Sequence, residues 1–160
     1  GSATSTITGL NHLEGETVSV LADGSAHADK TVSGGSITLD RDAEKVHIGY
    51  GYTSIVETLR LEAGANDGVA QGKIKRIHGV TVRFLESVGA EVGPDLNNLD
   101  RIPFRDSSMA MDEAVPMFSG DKEIFLPSGY ETDARIIVRQ TQPLPMTITA
   151  IMRRSNTFDA

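Results

Sequence analysis

One stretch decides the fold class: residues 17–24, Thr17-Val18-Ser19-Val20-Leu21-Ala22-Asp23-Gly24. Its apolar and polar side chains alternate, which is the two-residue period of a β-strand with one buried face. The Asp-Gly pair that follows favours a tight hairpin turn, because glycine adopts positive φ angles at little cost. The stretch therefore predicts a strand, a tight turn and a returning antiparallel strand.

The pattern continues downstream as a meander of short strands separated by turn residues. Ser33-Gly34-Gly35 is a second turn signal, and the polar residues 40–44 are a third. The predicted strands of this meander include residues 6–8, 27–32, 36–39 and 46–48. Later strands are predicted at residues 55–61, 80–84, 123–126, 135–139 and 146–151, the last starting after Pro143 and Pro145. Glu57 interrupts the apolar pattern of the first of these and indicates either an edge strand or a buried pair.

Two segments depart from this strand pattern. The spacing of Ile74 and Ile77 within Lys73–Ile77 fits one helical turn and predicts a short helix. Residues 92–118 contain three prolines among Asn, Asp and Ser without a sustained period, which predicts a long irregular excursion. Loops of that length are usually functional or mobile, so this segment is a candidate interaction surface.

The predicted fold is therefore mainly β, an antiparallel β-sandwich or barrel-like domain with one short helix and a long irregular excursion. Residues 1–5 are expected to be a tag remnant or a disordered start, since Gly1-Ser2 resembles the scar of a cleaved purification tag. Residues 6–160 are expected to form a single β-rich domain, with 6–62 as an N-terminal meander and 73–153 as a C-terminal sheet.

Composition narrows the function classes. The 160 residues contain no cysteine, which excludes disulfides and thiolate metal sites and fits synthesis in a reducing cytoplasm. No stretch approaches the roughly 20 apolar residues of a membrane span, and we expect neither export nor membrane contact. A formal net charge of -7 repels phosphates, so tight nucleic-acid binding is not expected.

The sequence offers one weak candidate metal site. His12, Glu14 and Glu16 alternate, so in an extended segment they would share a face and could hold a divalent ion. The polar face of an ordinary strand gives the same spacing. We therefore predict no cofactor, and we predict no enzyme because the chain lacks a nucleophile elbow and any cysteine nucleophile.

The sequence has one basic cluster, Lys73, Lys75 and Arg76, with His78 close by. Such a cluster in an acidic chain is a candidate contact for an acidic neighbouring subunit or a phosphate backbone. The alternative is a solvated helix face without a partner.

Several segments resemble tail proteins of tailed bacteriophages, and they occur in the same order. They are Gly9–Gly24, Tyr52-Thr53-Ser54 with Leu59, Gly72–Ile77, Val80–Ser87, Ile102–Arg105, Phe118–Asp121 and Gln142–Ile148. The chain resembles the tail tubular or nozzle type, whose members in short-tailed phages form a ring at the end of the tail channel. Members of this family are considerably longer, so the resemblance implies that this chain is one domain of such a subunit.

The resemblance implies a structural virion component of the tail that packs against copies of itself and neighbouring tail proteins around a DNA passage. It brings no catalytic residues with it. An acidic wall fits a DNA passage, because tight phosphate binding would hinder sliding. Two alternatives stay open: a carbohydrate or receptor-binding module at the tail tip, and an envelope-degrading hydrolase.

Overall fold

The fold was analysed in a computed structural model, which describes residues 2–62 and 72–158. Among these described residues strands make up 55% and helix 2%, so the protein is mainly β as the sequence predicts. All strand pairs are antiparallel, and no sheet in the described ranges closes into a barrel. The architecture is sandwich-like. No helix in these ranges combines the length and hydrophobicity needed to span a bilayer.

The chain divides into two compact units. The first consists of residues 1–53, 105–116 and 141–145, and the second of residues 54–104, 117–140 and 146–160. The first unit thus ends nine residues before the predicted meander boundary at residue 62, and it recruits two later segments.

The first unit contains five strands and one 3-10 helix. They are β1 (Thr4–Thr8), the 3-10 helix (Asn11–Leu13), β2 (Thr17–Ala22), β3 (Ser25–Thr31), β4 (Ser36–Ala43) and β5 (Val46–Gly49). β1 pairs with β4, and β2 lies between β3 and β5. β1 starts at Thr4, two residues before the predicted start of the domain at residue 6.

Side chains from both sheets build the core of the first unit. Val18 and Val20 of β2 and Ile37 and Leu39 of β4 are buried together with Leu13. The four strand residues are the apolar members of alternating runs, so the two-residue period places them on the buried face. Burying each such side chain stabilises the fold by about 1.5–3 kcal/mol before the entropy cost is counted.

Two of the three predicted turns form as the residue types require. The third, at residues 40–44, is wrong, because residues 40–43 belong to β4. Asp23 and Gly24 have φ angles of 49° and 77°, and Gly34 and Gly35 have φ angles of 60° and 65°. Two successive positive φ angles define a type I′ turn, whose twist matches that of the flanking strands. Asp23 also accepts hydrogen bonds from the backbone N–H groups of Glu44 and Lys45, so it ties the β2–β3 turn to the β4–β5 turn.

The second unit contains seven strands among the residues that the structure describes. They are β6 (Ser54–Glu57), β7 (Ile74–Ser87), β8 (Glu91–Asp95), β9 (Asn98–Arg101), β10 (Phe118–Phe125), β11 (Ile137–Gln140) and β12 (Ile148–Phe158). β7 lies between β10 and β12, and the second sheet has the order β6-β11-β8-β9. Phe84 of β7 is buried against Phe104, with ring centroids 5.2 Å apart in a T-shaped arrangement.

Three predictions for this unit are wrong, in whole or in part. The strand predicted at residues 55–61 ends already at Glu57. Lys73–Ile77 forms no helical turn, since β7 already begins at Ile74; the only helix in the described residues is the 3-10 turn in the first unit. The irregular excursion at 92–118 is wrong for its first part, because β8 and β9 form a hairpin over residues 91–101. Residues 102–117 contain no strand, as predicted.

Candidate functional site

The basic cluster does not lie on an exposed helix face. Lys75 is only 1% exposed on β7, where its ammonium group donates a hydrogen bond to the Thr132 carbonyl oxygen at 3.1 Å. Its backbone pairs with Glu131 in both directions, at 2.7 and 2.8 Å. The prediction of Lys75 as an interaction residue is therefore wrong, because its side chain is used inside the second unit.

Arg76 is half-buried and points away from Lys75, as adjacent residues of a strand do. Its Nε donates to the Ser128 carbonyl oxygen at 3.1 Å, and its guanidinium lies 5.6 Å from the centroid of the Tyr130 ring. Arg76 thus holds the loop that follows β10. Lys73, just before β7, is half-buried, and its role in an interaction remains a prediction.

The candidate metal residues do not share a strand face. His12 lies in the 3-10 helix, so the extended geometry that the prediction assumed is wrong. Glu14 accepts hydrogen bonds from the backbone N–H groups of Gly34 at 2.9 Å and Gly35 at 2.7 Å. Within residues 2–62 and 72–158, no group of three or more His, Asp or Glu side chains is arranged to hold a metal ion. Glu14 therefore serves as a clasp on the β3–β4 turn.

The Glu14 clasp predicts a pH dependence of stability. The N–H of Gly35, and then that of Gly34, lowers the pKa of Glu14 below its usual value of 4.5. A carboxyl with a lower pKa in the folded state stabilises the fold fully above the unfolded pKa and loses this effect as the pH falls through the folded pKa. We expect Glu14→Gln to lower the urea midpoint of the first unit at pH 7 and to have no effect once Glu14 is protonated in the wild type.

The matched control for this prediction is Glu16→Gln, an exposed carboxylate two residues along the chain. Urea unfolding followed by circular dichroism at pH 7 and at pH 2.5 measures both variants. An equal loss for the two variants, or a loss for Glu14→Gln that persists at low pH, would contradict the clasp.

The outer edge of β6 carries exposed apolar side chains. Ile55 is 49% exposed and Val56 44% exposed. Because adjacent strand residues point to opposite faces, β6 exposes an apolar side chain on each face of its sheet. Leu59, which follows the strand, is 85% exposed. β6 pairs with β11 on one side, and no strand in the described ranges pairs with its other side. The sequence already indicated an edge here through Glu57, which binds Arg135 at 2.7 Å.

A second feature is a surface pocket of about 290 Å³ in the second unit. One wall is the turn between β8 and β9, with Asp95 and Asn98, and the other is the loop 127–131, with Tyr130 and Glu131. Sequence reasoning missed this pocket. Its signals were the Asp95-Leu96-Asn97-Asn98 turn chemistry and the Pro127–Tyr130 turn, which lie about thirty residues apart in the chain.

The two carboxyl groups of the pocket have opposite pKa shifts. The Asn98 side-chain amide and the backbone N–H groups of Asn97 and Asn98 hold the pKa of Asp95 below its usual value. The pKa of Glu131 is raised. The main cause is partial desolvation of its carboxyl group, and repulsion from Asp133 and Asp95 adds to it. Asp95 is therefore stabilised as a carboxylate by the turn that it closes, whereas Glu131 experiences uncompensated negative charge.

No protein-family model matches the chain, and a search of curated proteins finds no relative. The functional argument therefore depends on the residues and the geometry above.

Proposed function

We propose that this chain is a structural module of a bacteriophage tail that assembles with copies of itself and with neighbouring tail proteins around a DNA passage. The observation that carries the proposal is the apolar edge of β6, formed by Ile55, Val56 and Leu59. Soluble proteins usually protect such edges with charges, prolines or covering segments, because unpaired strand edges invite pairing with another chain. An edge that keeps apolar side chains on both faces is suited to docking.

The edge is self-complementary in register. If two copies of β6 pair antiparallel about a two-fold axis, Ile55 faces Val56 of the other copy, and Ser54 faces Glu57. Such a pairing closes at a dimer, so on our proposal it joins copies in pairs and the contacts that close a ring lie elsewhere on the subunit. Directly opposed strand residues point to the same face, so each face gains one isoleucine–valine pair and no like charges oppose each other. The ion pair between Glu57 and Arg135 can persist in this arrangement.

The sequence resemblance to tail tubular proteins and the net charge of -7 support the same role. An acidic surface repels DNA phosphates and so permits sliding. On this proposal the protein resides in the virion tail and is no enzyme.

A charge placed on the β6 edge tests the proposal. We expect Val56→Lys to weaken self-association about a hundredfold, since the two-fold pairing loses one valine contact on each face and each loss costs about 1.5 kcal/mol. Sedimentation velocity over a concentration series measures the effect. Met111→Lys is the matched control, because Met111 is an exposed apolar residue outside the strands. Equal self-association of the wild type and Val56→Lys would contradict the proposed edge.

A carbohydrate or receptor-binding module is the second candidate function. The observation that favours it is the pocket beside Tyr130, because an exposed aromatic ring next to carboxylates and an amide is typical of sugar sites. Binding of a defined glycan in an array, lost on Tyr130→Ala, would support this candidate over assembly.

The hydrolase alternative has less support. Asp95 and Glu131 differ in pKa as a base and an acid do, but the turn hydrogen bonds that account for Asp95 are structural. Turnover of peptidoglycan by the chain, abolished in Glu131→Gln, would establish the hydrolase and overturn our proposal.

A further inference from the structure

The pocket beside Tyr130 is small for a drug-sized ligand but large enough for one long side chain. Its volume of about 290 Å³ lies at the lower end of the range of known ligand sites, roughly 300–1,000 Å³. Pro94 and Pro127 contribute rigid apolar wall to it. The shape therefore favours a single inserted group over an extended ligand.

The hydrogen-bonding groups that remain available in this pocket are mainly acceptors. Two side-chain donors at its rim are already used: the Asn98 amide donates to Asp95 at 2.8 Å, and the Ser128 hydroxyl donates to the Ile77 carbonyl oxygen. The Tyr130 hydroxyl can donate or accept. Asp95 and Glu131 supply carboxylate oxygens, which can accept up to about four hydrogen bonds each. A ligand here must therefore donate hydrogen bonds, whereas a sugar hydroxyl usually needs both donors and acceptors.

Glu131 also differs from several carboxylates of the second unit that are paired with arginine. Glu57, Glu91, Asp121, Glu123 and Asp133 each form an ion pair with an arginine. The Glu131 carboxyl has neither a hydrogen bond nor an ion pair among the described residues. Arg76 is committed to Ser128 and to the Tyr130 ring. A positively charged group of a ligand would provide the ion-pair partner that Glu131 lacks.

The Tyr130 ring already binds one cation, since the Arg76 guanidinium lies 5.6 Å from its centroid, and this contact shows that the ring attracts such groups. Tyr130 is 59% exposed and contacts Phe158 edge-to-face at 5.4 Å. Aromatic faces attract guanidinium and ammonium groups, more strongly where water is excluded. Carboxylates bind guanidinium groups through paired hydrogen bonds, which matches the unused oxygens of Glu131.

We propose that the pocket formed by Asp95, Tyr130 and Glu131 binds an arginine or lysine side chain presented by a neighbouring polypeptide. The identity of that neighbour as a tail protein rests on the proposed function, but the chemistry of the pocket does not. The site gives an acidic assembly module a specific contact for a basic partner, separate in sequence from the apolar β6 edge.

The test is a nitrogen-15 NMR titration of the intact chain with N-acetyl-arginine amide. We expect saturable shifts at the amides of Asn98, Tyr130 and Glu131. N-acetyl-citrulline amide has nearly the same shape without the charge, and it should bind at least fivefold more weakly. Glu131→Gln should weaken arginine binding at least fivefold, whereas Glu44→Gln, which removes an exposed carboxylate of the first unit, should not.

Three results would overturn the inference: equal binding of citrulline and arginine, shifts confined to other residues, or saturable binding of N-acetylglucosamine at the same amides. The last result would identify a carbohydrate site instead. Because the titration uses an added small molecule, its failure leaves the self-association test of Val56→Lys unaffected, and the two proposals can fail separately.

Discussion

Replacing Lys75 with glutamate is expected to unfold the second unit. The Lys75 side chain is buried, and its ammonium group donates to the Thr132 carbonyl oxygen. A glutamate there would direct carboxylate oxygens at a carbonyl oxygen and bury an unpaired negative charge. Leaving a charge buried and unpaired costs about 3–5 kcal/mol. Small domains have about 5–15 kcal/mol of stability in total, so little would remain.

Hydrogen exchange read by mass spectrometry measures this effect unit by unit. In Lys75→Glu, peptides from β7 should lose protection while peptides from β2 keep it. Lys75→Met is the first control and should retain most of the stability, since it keeps the apolar stem and removes the buried charge. Arg76→Glu, on the opposite face of β7, should open the loop at Ser128 without unfolding the strand. Equal loss of protection in the Lys75→Glu and Arg76→Glu variants would contradict this account of the basic cluster.

A methyl group at Gly93 is expected to open the β8–β9 hairpin and with it the Tyr130 pocket. A Cβ atom there would overlap the Asn98 carbonyl oxygen and lie 2.8 Å from its carbonyl carbon and 3.0 Å from Leu99 Cα. All three atoms belong to the backbone, so β9 must move as a whole. Overpacking of this kind costs typically about 1–3 kcal/mol, and we expect Gly93→Ala to reach the upper end of that range.

The readout for Gly93→Ala is the exchange rate of the Asn97 and Asn98 amides, which donate to Asp95 in the closed turn. Both amides should exchange much faster, and binding of N-acetyl-arginine amide should disappear. Gly129→Ala is the matched control on the opposite wall, because a Cβ atom there meets no other atom within 4 Å. Unchanged amide exchange in Gly93→Ala would mean that the hairpin accommodates the methyl group. The close approach of Gly93 to the Asn98–Leu99 backbone would then not be required for the closed turn.

The sequence predicted the elements whose signals are local. The Asp23-Gly24 and Gly34-Gly35 turns formed because positive φ angles are a property of those residues and their position between alternating runs. Val80, Val82 and Phe84 are buried as their alternation indicates. The last strand begins at Ile148, after Pro143 and Pro145, which lack the N–H group that a ladder requires.

The failed predictions concern places where strand geometry is irregular. In β7, Ile77 pairs with Ser155 and Gly79 with Arg154, so His78 is an extra residue that shifts the register. The helix prediction, however, rested on Ile74 and Ile77, whose three-residue spacing places them on opposite faces of β7, with Ile74 half-buried and Ile77 buried. Pro94 suggested a loop, yet it lies where the β8–β9 register shifts, which is a position that tolerates proline within a sheet.

The candidate sites could be predicted only in part. The edge at β6 was indicated by Glu57 within an otherwise apolar pattern, because edge strands tolerate charges. The burial of Lys75 and the meeting of Asp95 with Glu131 depend on strand pairing between distant segments, and no local pattern encodes such pairing. The sequence-based prediction placed Lys75 on the surface only because lysine is usually exposed.

The most direct test of the proposed assembly role is cryo-electron microscopy of the native assembly that contains this chain. Our account predicts density for the two β-rich units within a ring around the DNA channel, with Ile55 and Val56 covered by an adjacent subunit. Density on a peripheral fibre, or a ring in which the β6 edge faces solvent, would contradict it.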